Sequence, residues 1–328
     1  MPQLLAIELH REYSMSDVFT SRFHSRIQQI SGTNIHFVHN SRHNDENALE
    51  AGNSEILLLL HGFPEFHGAW EQVMPLLAKN YLVIVPDQRG YNLSSAPQDV
   101  ASYQTKYLVG DMIALMDQLV PGSSYHLVGH DWGASIAYSL AMRQSQKIKT
   151  LSIVNGVHPI LFQRALSGSK DQIAASQYFH TLCADGAADK MAENGFARTF
   201  SMLEKFSSSF WLDQGLREKY LKAWSQPGRM NAMLNWYRAS PMQVPFGDEK
   251  PVPAPLLDID PENFRIKMPH LLLWGMEDTA LLLIARSGLE EFADALKIVE
   301  VEDAGHWINH THPDFIASEI HQFIQSNI

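Results

Sequence analysis

The chain has 328 residues, 45% hydrophobic and 19% charged, the balance of a soluble globule with one large core or two. A formal net charge of −11 argues against nucleic acid and anionic membranes as partners. A single cysteine, Cys183, excludes an internal disulfide and offers no metal-site spacing. No apolar run approaches a membrane span. Met1 to Ser21 mixes acidic, basic and polar residues and lacks the apolar middle of a secretory signal. Cytoplasmic residence is the default expectation.

Residues 1–25 read as an extension with little periodicity. Ile27–Ile30 and Asn34–His39 are short strand candidates around Gly32, an edge hairpin by pattern. The polar stretch Asn40–Asn53 is loop. Glu55–Leu60 is a continuous apolar run, as in a strand buried on both faces, and it ends in His61-Gly62-Phe63-Pro64-Glu65. A helix-like segment spans Ala69 to Lys79, and Tyr81–Val85 is the next buried strand, ending in Asp87-Gln88-Arg89-Gly90-Tyr91-Asn92. Tyr103–Val120 is helical by period, with Leu108, Met112, Leu115, Met116 and Leu119 on one face. Tyr125–Val128 and Lys149–Val154 read as strands on either side of a helix rich in Ala and Leu.

From about Val157 to Val244 the buried strands vanish. Helical patterns take their place at Ile173–Leu182, Ala197–Lys205, Glu218–Ala223 and Arg229–Ala239. Pro241–Pro261 reads as a return linker. Strands resume at His270–Trp274 and Leu296–Val301 with a helix candidate between them, and Phe315–Ile324 closes the chain as a helix. Strands alternating with helices predict a mostly parallel sheet covered on both faces, with ligands beyond the carboxyl ends of its strands.

The sharpest signal is Gly129-His130-Asp131-Trp132-Gly133, between a strand and a helix. Two glycines flank one side chain at a spacing of two, the pattern of a nucleophile elbow, which usually carries serine at its centre. Here the centre is Asp131. A serine must lose a proton before it attacks, whereas a carboxylate carries its charge at neutral pH. Such a group can displace a leaving group from saturated carbon and form an ester, which suits an epoxide or a carbon–halogen bond better than an amide. A histidine must then activate water to hydrolyse the ester.

Asp131, Asp278 and His306 follow the chain order nucleophile, acid, histidine, each just past a predicted strand. His306 is the candidate base and Asp278 the group that orients its imidazole, with Glu277 as competitor. The backbone N–H groups of Phe63 and Trp132 are candidates for an oxyanion hole. In Arg229–Ala239, Met230, Met233, Leu234 and Tyr237 share one helix face. If that face looks toward Asp131, the Tyr237 hydroxyl hangs over it and can protonate an opening epoxide, with Tyr178 as a second phenol. Phe179, Met230, Met233 and Leu234 suggest an apolar substrate pocket. His310 and His312 read as surface or capping residues, with no metal ligand set beside them.

Together His61-Gly62-Phe63-Pro64-Glu65, Gly129-His130-Asp131-Trp132-Gly133-Ala134, Leu234-Asn235-Trp236-Tyr237-Arg238 and Gly305-His306-Trp307 resemble the α/β-hydrolase-fold epoxide hydrolases of the soluble type. The similarity runs from about Ile27 to the C-terminus. It implies an eight-stranded sheet with an inserted all-helical cap: a core of 26–156 and 246–328, and a cap of 157–245. It also implies Asp131 as nucleophile, His306 as base, Asp278 as its charge partner and two cap tyrosines as the acid. No cofactor or metal is implied, and the expected partners are a small apolar substrate and water. Asn92 stands where the family has glycine; asparagine tolerates positive φ better than most residues. Two rivals share the scaffold. A haloalkane or haloacid dehalogenase uses the same nucleophile, but Phe63 lacks the side-chain donor usual for halide, and Trp132 replaces the arginine of fluoroacetate dehalogenases. A non-catalytic small-molecule sensor would bind without turnover.

Overall fold

The computed structural model describes residues 23–41, 48–206, 210–247, 249 and 254–328. Most of the expected N-terminal extension, up to residue 22, lies outside the described residues. The strands are β1 His24–Ile30, β2 Thr33–His39, β3 Glu55–Leu60, β4 Tyr81–Pro86, β5 Tyr125–His130, β6 Ile148–Val154, β7 His270–Gly275 and β8 Leu296–Val301. They form one eight-stranded sheet in the order β1-β2-β4-β3-β5-β6-β7-β8. β1 and β2 pair as an antiparallel hairpin and β2 runs antiparallel to β4; every other pairing is parallel.

The continuous apolar runs are explained by burial on both faces. Successive side chains of a strand point to opposite sides. Leu58 and Leu60 of β3 join one core cluster, Leu57 and Leu59 the other. The helices are α1 Met74–Leu77, α2 Thr105–Leu119, α3 Trp132–Arg143, α4 Pro159–Gly168, α5 Lys170–Ala175, α6 Tyr178–Cys183, α7 Ala187–Lys205, α8 Gln214–Trp224, α9 Arg229–Arg238, α10 Ile308–Thr311 and α11 Pro313–Gln325. α2 and α3 cover one face through residues such as Leu115 and Ile136, while α1 and α11 cover the other through Met74 and Ile320. Among the described residues, no helix is long and apolar enough to cross a membrane.

Several segments differ from the sequence reading; Ile173–Leu182, read as one helix, is split between α5 and α6. The stretch after β3 is a 3₁₀ turn, His67–Trp70, followed by the short α1 instead of one helix to Lys79. Pro75 stands in the first turn of α1, where its missing N–H costs no hydrogen bond; a helix can start there but not run through it. Between β7 and β8 there is no α-helix, only the 3₁₀ turns Leu283–Arg286 and Leu289–Glu291, with Gly288 at φ +87 between them. α4 had no counterpart in the reading, although it starts on Pro159 and buries Ile160, Leu161, Ala165 and Leu166.

Among the described residues, six α-helices, α4–α9, lie between β6 and β7, and their polar side chains reach the loops at the strand ends. Trp224 Nε1 donates to Pro64 O (2.6 Å), and Trp236 Nε1 donates to Arg89 O (2.9 Å). The Tyr220 hydroxyl donates to Glu65 Oε1 (2.7 Å), and from the core Trp307 Nε1 donates to Leu203 O (2.7 Å). Each aromatic buries apolar area and satisfies its one polar atom on a fixed carbonyl or carboxylate.

Buried Asp87, after β4, ties the edge hairpin to the same end of the sheet. It accepts from His36 Nδ1 (2.5 Å), from the backbone N–H and Nδ1 of His67 (both 2.8 Å), and from Asn92 Nδ2 (2.8 Å). Asn92 takes φ +39, as its residue type allows. Burial alone would raise the Asp87 carboxyl, but the charge of His67 and the bonds from His36 and His67 hold it well below the usual range. A group depressed in the folded state contributes stability above its unfolded pKa of about 3.9, and this contribution is lost as pH falls through that region. Asp87→Ala is expected to cost about 3 kcal/mol in urea unfolding at pH 7. It should also flatten the acid limb of the stability–pH profile; an unchanged limb contradicts this account.

At the β5–α3 junction the backbones nearly touch. A Cβ on Gly133 would lie 2.3 Å from Leu60 O and 2.5 Å from His61 O, both fixed backbone atoms. Gly133→Ala is therefore expected to destabilise by about 2 kcal/mol, read as a lowered thermal midpoint; a variant as stable as the parent would refute the close approach.

Candidate active site

Asp131 stands where β5 turns into α3, at φ 51 and ψ −121. A non-glycine side chain pays strain for a positive φ and keeps it only where the surroundings over-determine it. The constraint comes from both sides. Gly133 packs against the end of β3, and a Cβ on Gly62 would sit 2.3 Å from Asp131 Oδ1. With no Cβ there, the Phe63 N–H reaches Asp131 Oδ1 at 2.7 Å.

The other oxygen, Oδ2, is 3.5 Å from His306 Nε2. On the far side of the ring, His306 Nδ1 donates to Asp278 Oδ2 at 2.7 Å. Asp278 is buried and fully partnered. Asn155 Nδ2 donates to its Oδ2 (2.7 Å), and the N–H groups of Ala280 and Leu281 donate to its Oδ1 (2.8 and 2.9 Å). Asn155 itself sits at φ +36 and accepts from the Gly275 N–H at 2.9 Å. It thus holds the ends of β6 and β7 in register with the carboxylate. Glu277 is exposed and takes no part in this arrangement.

The charges are coupled. Burial pulls the His306 pKa down, but the attraction of Asp278 and the contacts with Asp131 outweigh it and push it up to about 10. Burial raises Asp278, and the charge and hydrogen bond of His306, with the bonds from Leu281 and Asn155, overcome that and lower it. The ring of His306 therefore lies between two carboxyl groups that favour its protonated form.

Beneath His306 lies a second polar group that the sequence reading missed. Glu65 is fully buried; its Oε1 accepts from Tyr220 Oη (2.7 Å) and His310 Nε2 (2.6 Å), and its Oε2 is 3.2 Å from His130 Nδ1. His130 Nε2 in turn donates to the carbonyl of His306 at 2.9 Å. Burial would raise Glu65, yet the charge and bond of His310 and the nearby ring of His130 hold it far below the usual carboxylate range. The reading of His310 as a surface residue is thereby corrected: it is buried, bonded to Glu65 and stacked on Trp211 at 4.0 Å. A buried carboxylate requires such partners. His312 remains half-exposed, 3.4 Å from Asp303.

Tyr237 is buried among aromatic rings, edge-to-face with Phe63 (5.0 Å), Trp132 (5.1 Å), Phe179 (4.9 Å) and Tyr178 (6.1 Å). Both phenols are pushed well above their ordinary pKa, chiefly by burial. The charge of Asp131 adds to this in both, with Asp278 for Tyr178 and Tyr178 itself for Tyr237. Both stay protonated at neutral pH and lie within the field of the Asp131 carboxylate. A cavity of about 50 Å³ opens beside Asp131, lined by Trp132, Tyr178, Phe179, Phe162 and Leu281 among others. Met230, Met233 and Leu234 are buried in the packing of α9 and do not line this cavity. Among the described residues, His36, His67 and Asp87 are the one group with ligand atoms close enough to hold a cation, all within 4.8 Å. They bond one another and none lines the cavity at Asp131.

The chain matches the model of the alpha/beta hydrolase fold over residues 55–313. It is 31% identical over 273 residues to the AB hydrolase superfamily protein YfhM of Bacillus subtilis, covering 83% of this chain and 90% of that protein. It is 27% identical over 282 residues to Epoxide hydrolase 2 of Caenorhabditis elegans, covering 83% of this chain and 74% of that one. A solved structure of a novel epoxide hydrolase from metagenomes of hot environments superposes with a TM-score of 0.81 at 32% identity, covering 92% of this chain and 98% of that one. The Bacillus megaterium epoxide hydrolase in complex with an inhibitor superposes with a TM-score of 0.77 at 25% identity, covering 92% of this chain and all of the other, 100%. The chain belongs to the α/β-hydrolase family and stands among its epoxide-hydrolase-like members.

Proposed function

We propose that this protein hydrolyses an epoxide to a vicinal diol through a covalent ester on Asp131, with residues 157–245 acting as a cap domain over the site. The observation that carries the reading is the division of labour between the two Asp131 oxygens: Oδ1 on the Phe63 N–H at 2.7 Å, Oδ2 facing His306 Nε2 at 3.5 Å. The relatives named epoxide hydrolase support the same chemistry.

In the first step Oδ2 attacks an epoxide carbon, the ring C–O bond breaks, and the alkoxide takes a proton from Tyr237 or Tyr178. Oδ1 becomes the carbonyl oxygen of the ester and stays on the Phe63 N–H. Ester formation removes the negative charge of Asp131. One of the two attractions that keep a proton on His306 disappears with it, so the ring can give that proton up as one returns to the phenolate left by the first step, and neutral His306 can act as a base. Neutral His306 then takes a proton from water, and the hydroxide adds to Asp131 Cγ. The N–H groups of Phe63 and Trp132 stabilise the oxyanion on Oδ1, and its collapse expels an alkoxide that takes the proton of the new Asp131 carboxyl group, which yields the diol and an ionised Asp131. Asp278 stays ionised and stabilises the imidazolium that forms in this step.

His306→Gln should leave alkylation intact and slow hydrolysis by about 10³-fold or more. Intact mass of this variant after mixing with an aryl epoxide should rise by the mass of one substrate, on a peptide containing Asp131. A haloalkane serves as the control: an adduct from it alone would favour the dehalogenase, and no adduct from either, with an inert wild type, would remove the covalent mechanism. Tyr237→Phe is expected to lower kcat on the epoxide by about 10- to 100-fold, and the double change with Tyr178→Phe by about 10³-fold or more, since two donors share one alkoxide. Equal kcat in wild type and double variant would remove the phenols from the mechanism.

A further inference from the structure

Three side chains from separate segments meet beside the edge hairpin: His36 of β2, His67 at the start of the 3₁₀ turn after β3, and Asp87 after β4. The ligand atoms they offer lie within 4.8 Å of one another. His36 Nδ1 is 2.5 Å from Asp87 Oδ2, and His67 Nδ1 is 2.8 Å from Asp87 Oδ1. The carboxylate is fully buried and His36 nearly so, while the His67 side chain keeps 18% of its surface exposed. No step of the chemistry proposed at Asp131 uses these three residues.

Two imidazoles and one carboxylate are the protein donors of an open zinc site, which leaves a fourth position for water. The surroundings have the form such a site needs. A ligating histidine hands its other ring N–H to an oxygen, which fixes the tautomer. His36 Nε2 faces Ser25 Oγ at 2.7 Å, and a hydroxyl accepts there as readily as it donates. With that N–H on Ser25, the Nδ1 lone pair points toward Asp87. The carboxylate keeps two anchors that involve neither ring: Asn92 Nδ2 on Oδ2 and the His67 backbone N–H on Oδ1, both at 2.8 Å. An ion would replace the protons that now lie between the rings and the carboxylate. Ligand atoms of a tetrahedral zinc stand about 3.4 Å apart, so each pair would open by less than about 1 Å. His67, the partly exposed member, gives the ion and its water a route from solvent.

We propose that His36, His67 and Asp87 form a binding site for one divalent transition-metal ion of the zinc type. Imidazole nitrogens suit zinc, cobalt or nickel, whereas magnesium and calcium take sets of oxygens. The ion clips the β1–β2 hairpin to the rest of the fold. Within the sheet that hairpin is joined only through β2, at Phe37, Val38 and His39 against β4. A metal that binds the folded chain alone stabilises it. The inference goes beyond the epoxide reading and does not depend on it.

The test uses the tag-free chain, stripped with a chelator. Equilibrium dialysis against micromolar zinc should leave one ion per chain. Zinc at about a hundredfold excess over its Kd should raise the thermal midpoint by about 3–5 °C, and magnesium should not. Cobalt should give the visible bands of a four- or five-coordinate ion in place of the pale spectrum of the hydrated one. His67→Ala should weaken zinc binding by about 100-fold or more and abolish the thermal shift. His67→Cys, which keeps a ligand, should hold cobalt and add a thiolate charge-transfer band in the near ultraviolet. His312→Ala, which removes a partly exposed histidine outside the cluster, should bind zinc as the wild type does. A wild type that takes up no zinc under these conditions overturns the inference. Binding that His67→Ala leaves unchanged overturns it too, because the ion then sits on other histidines. Should His67→Ala fail to fold, the spectrum of His67→Cys decides, and the absence of its charge-transfer band overturns the assignment.

Discussion

A carboxylate forced into a left-handed turn, with one oxygen on a backbone N–H and the other facing an imidazole, is the arrangement around which this molecule is built. Left alone, an aspartate before a helix would cap it, its side chain accepting from the N–H groups of the first turn. Asp131 makes no such cap bond. Its φ of 51 turns the side chain toward the loop after β3, where Gly62 leaves the space and Phe63 the donor. Packing holds a conformation that local preference resists, as expected where strain is stored for use.

Charge balance is the second half of the same constraint. Two carboxylates near each other at the floor of a cavity repel unless a cation separates them, and His306 supplies it. On the proposed reading the balance is also the switch. Losing the charge on Asp131 to an ester is what turns a resting imidazolium into a base. The buried Glu65 lies against His130, which bonds the His306 carbonyl, so the loop after β3, the elbow and the histidine loop meet through one polar group. Tyr220 and Trp224 fasten α8 to the same loop. The helices proposed as a cap are thereby tied to the residues that hold the Asp131 carboxylate.

How much of this was legible in the sequence follows from how local each feature is. β3, β4 and β7 could be read because burial on both faces leaves uninterrupted leucines and valines. The elbow could be read because its two glycines stand at a fixed spacing around Asp131 in the chain itself, even though Gly133 is fixed by the distant backbone of Leu60 and His61. The pairing of His306 with Asp278 followed from chain order, a rule that already encodes the sheet topology. Glu65, Asn155 and His310 were illegible for the opposite reason. Each is defined by partners far away in the chain, and a lone buried Glu or Asn has no local pattern. The missing helix between β7 and β8 failed on a single residue, Gly288, whose left-handed φ no periodicity reveals. The cavity lining mixes α4, α6 and the segment after β7, so only Phe179 and the residues already chosen for chemistry were foreseen.

The central claim, that Asp131 bonds to carbon and water then attacks its own carboxyl group, is tested most directly by a single turnover with enzyme in excess in water enriched in heavy oxygen. The account predicts a first diol free of the label, because its new oxygen comes from Asp131, and a label recovered on the peptide that carries Asp131. A first diol that carries the label, over an unlabelled Asp131 peptide, would mean that water attacks the substrate directly and would contradict the account.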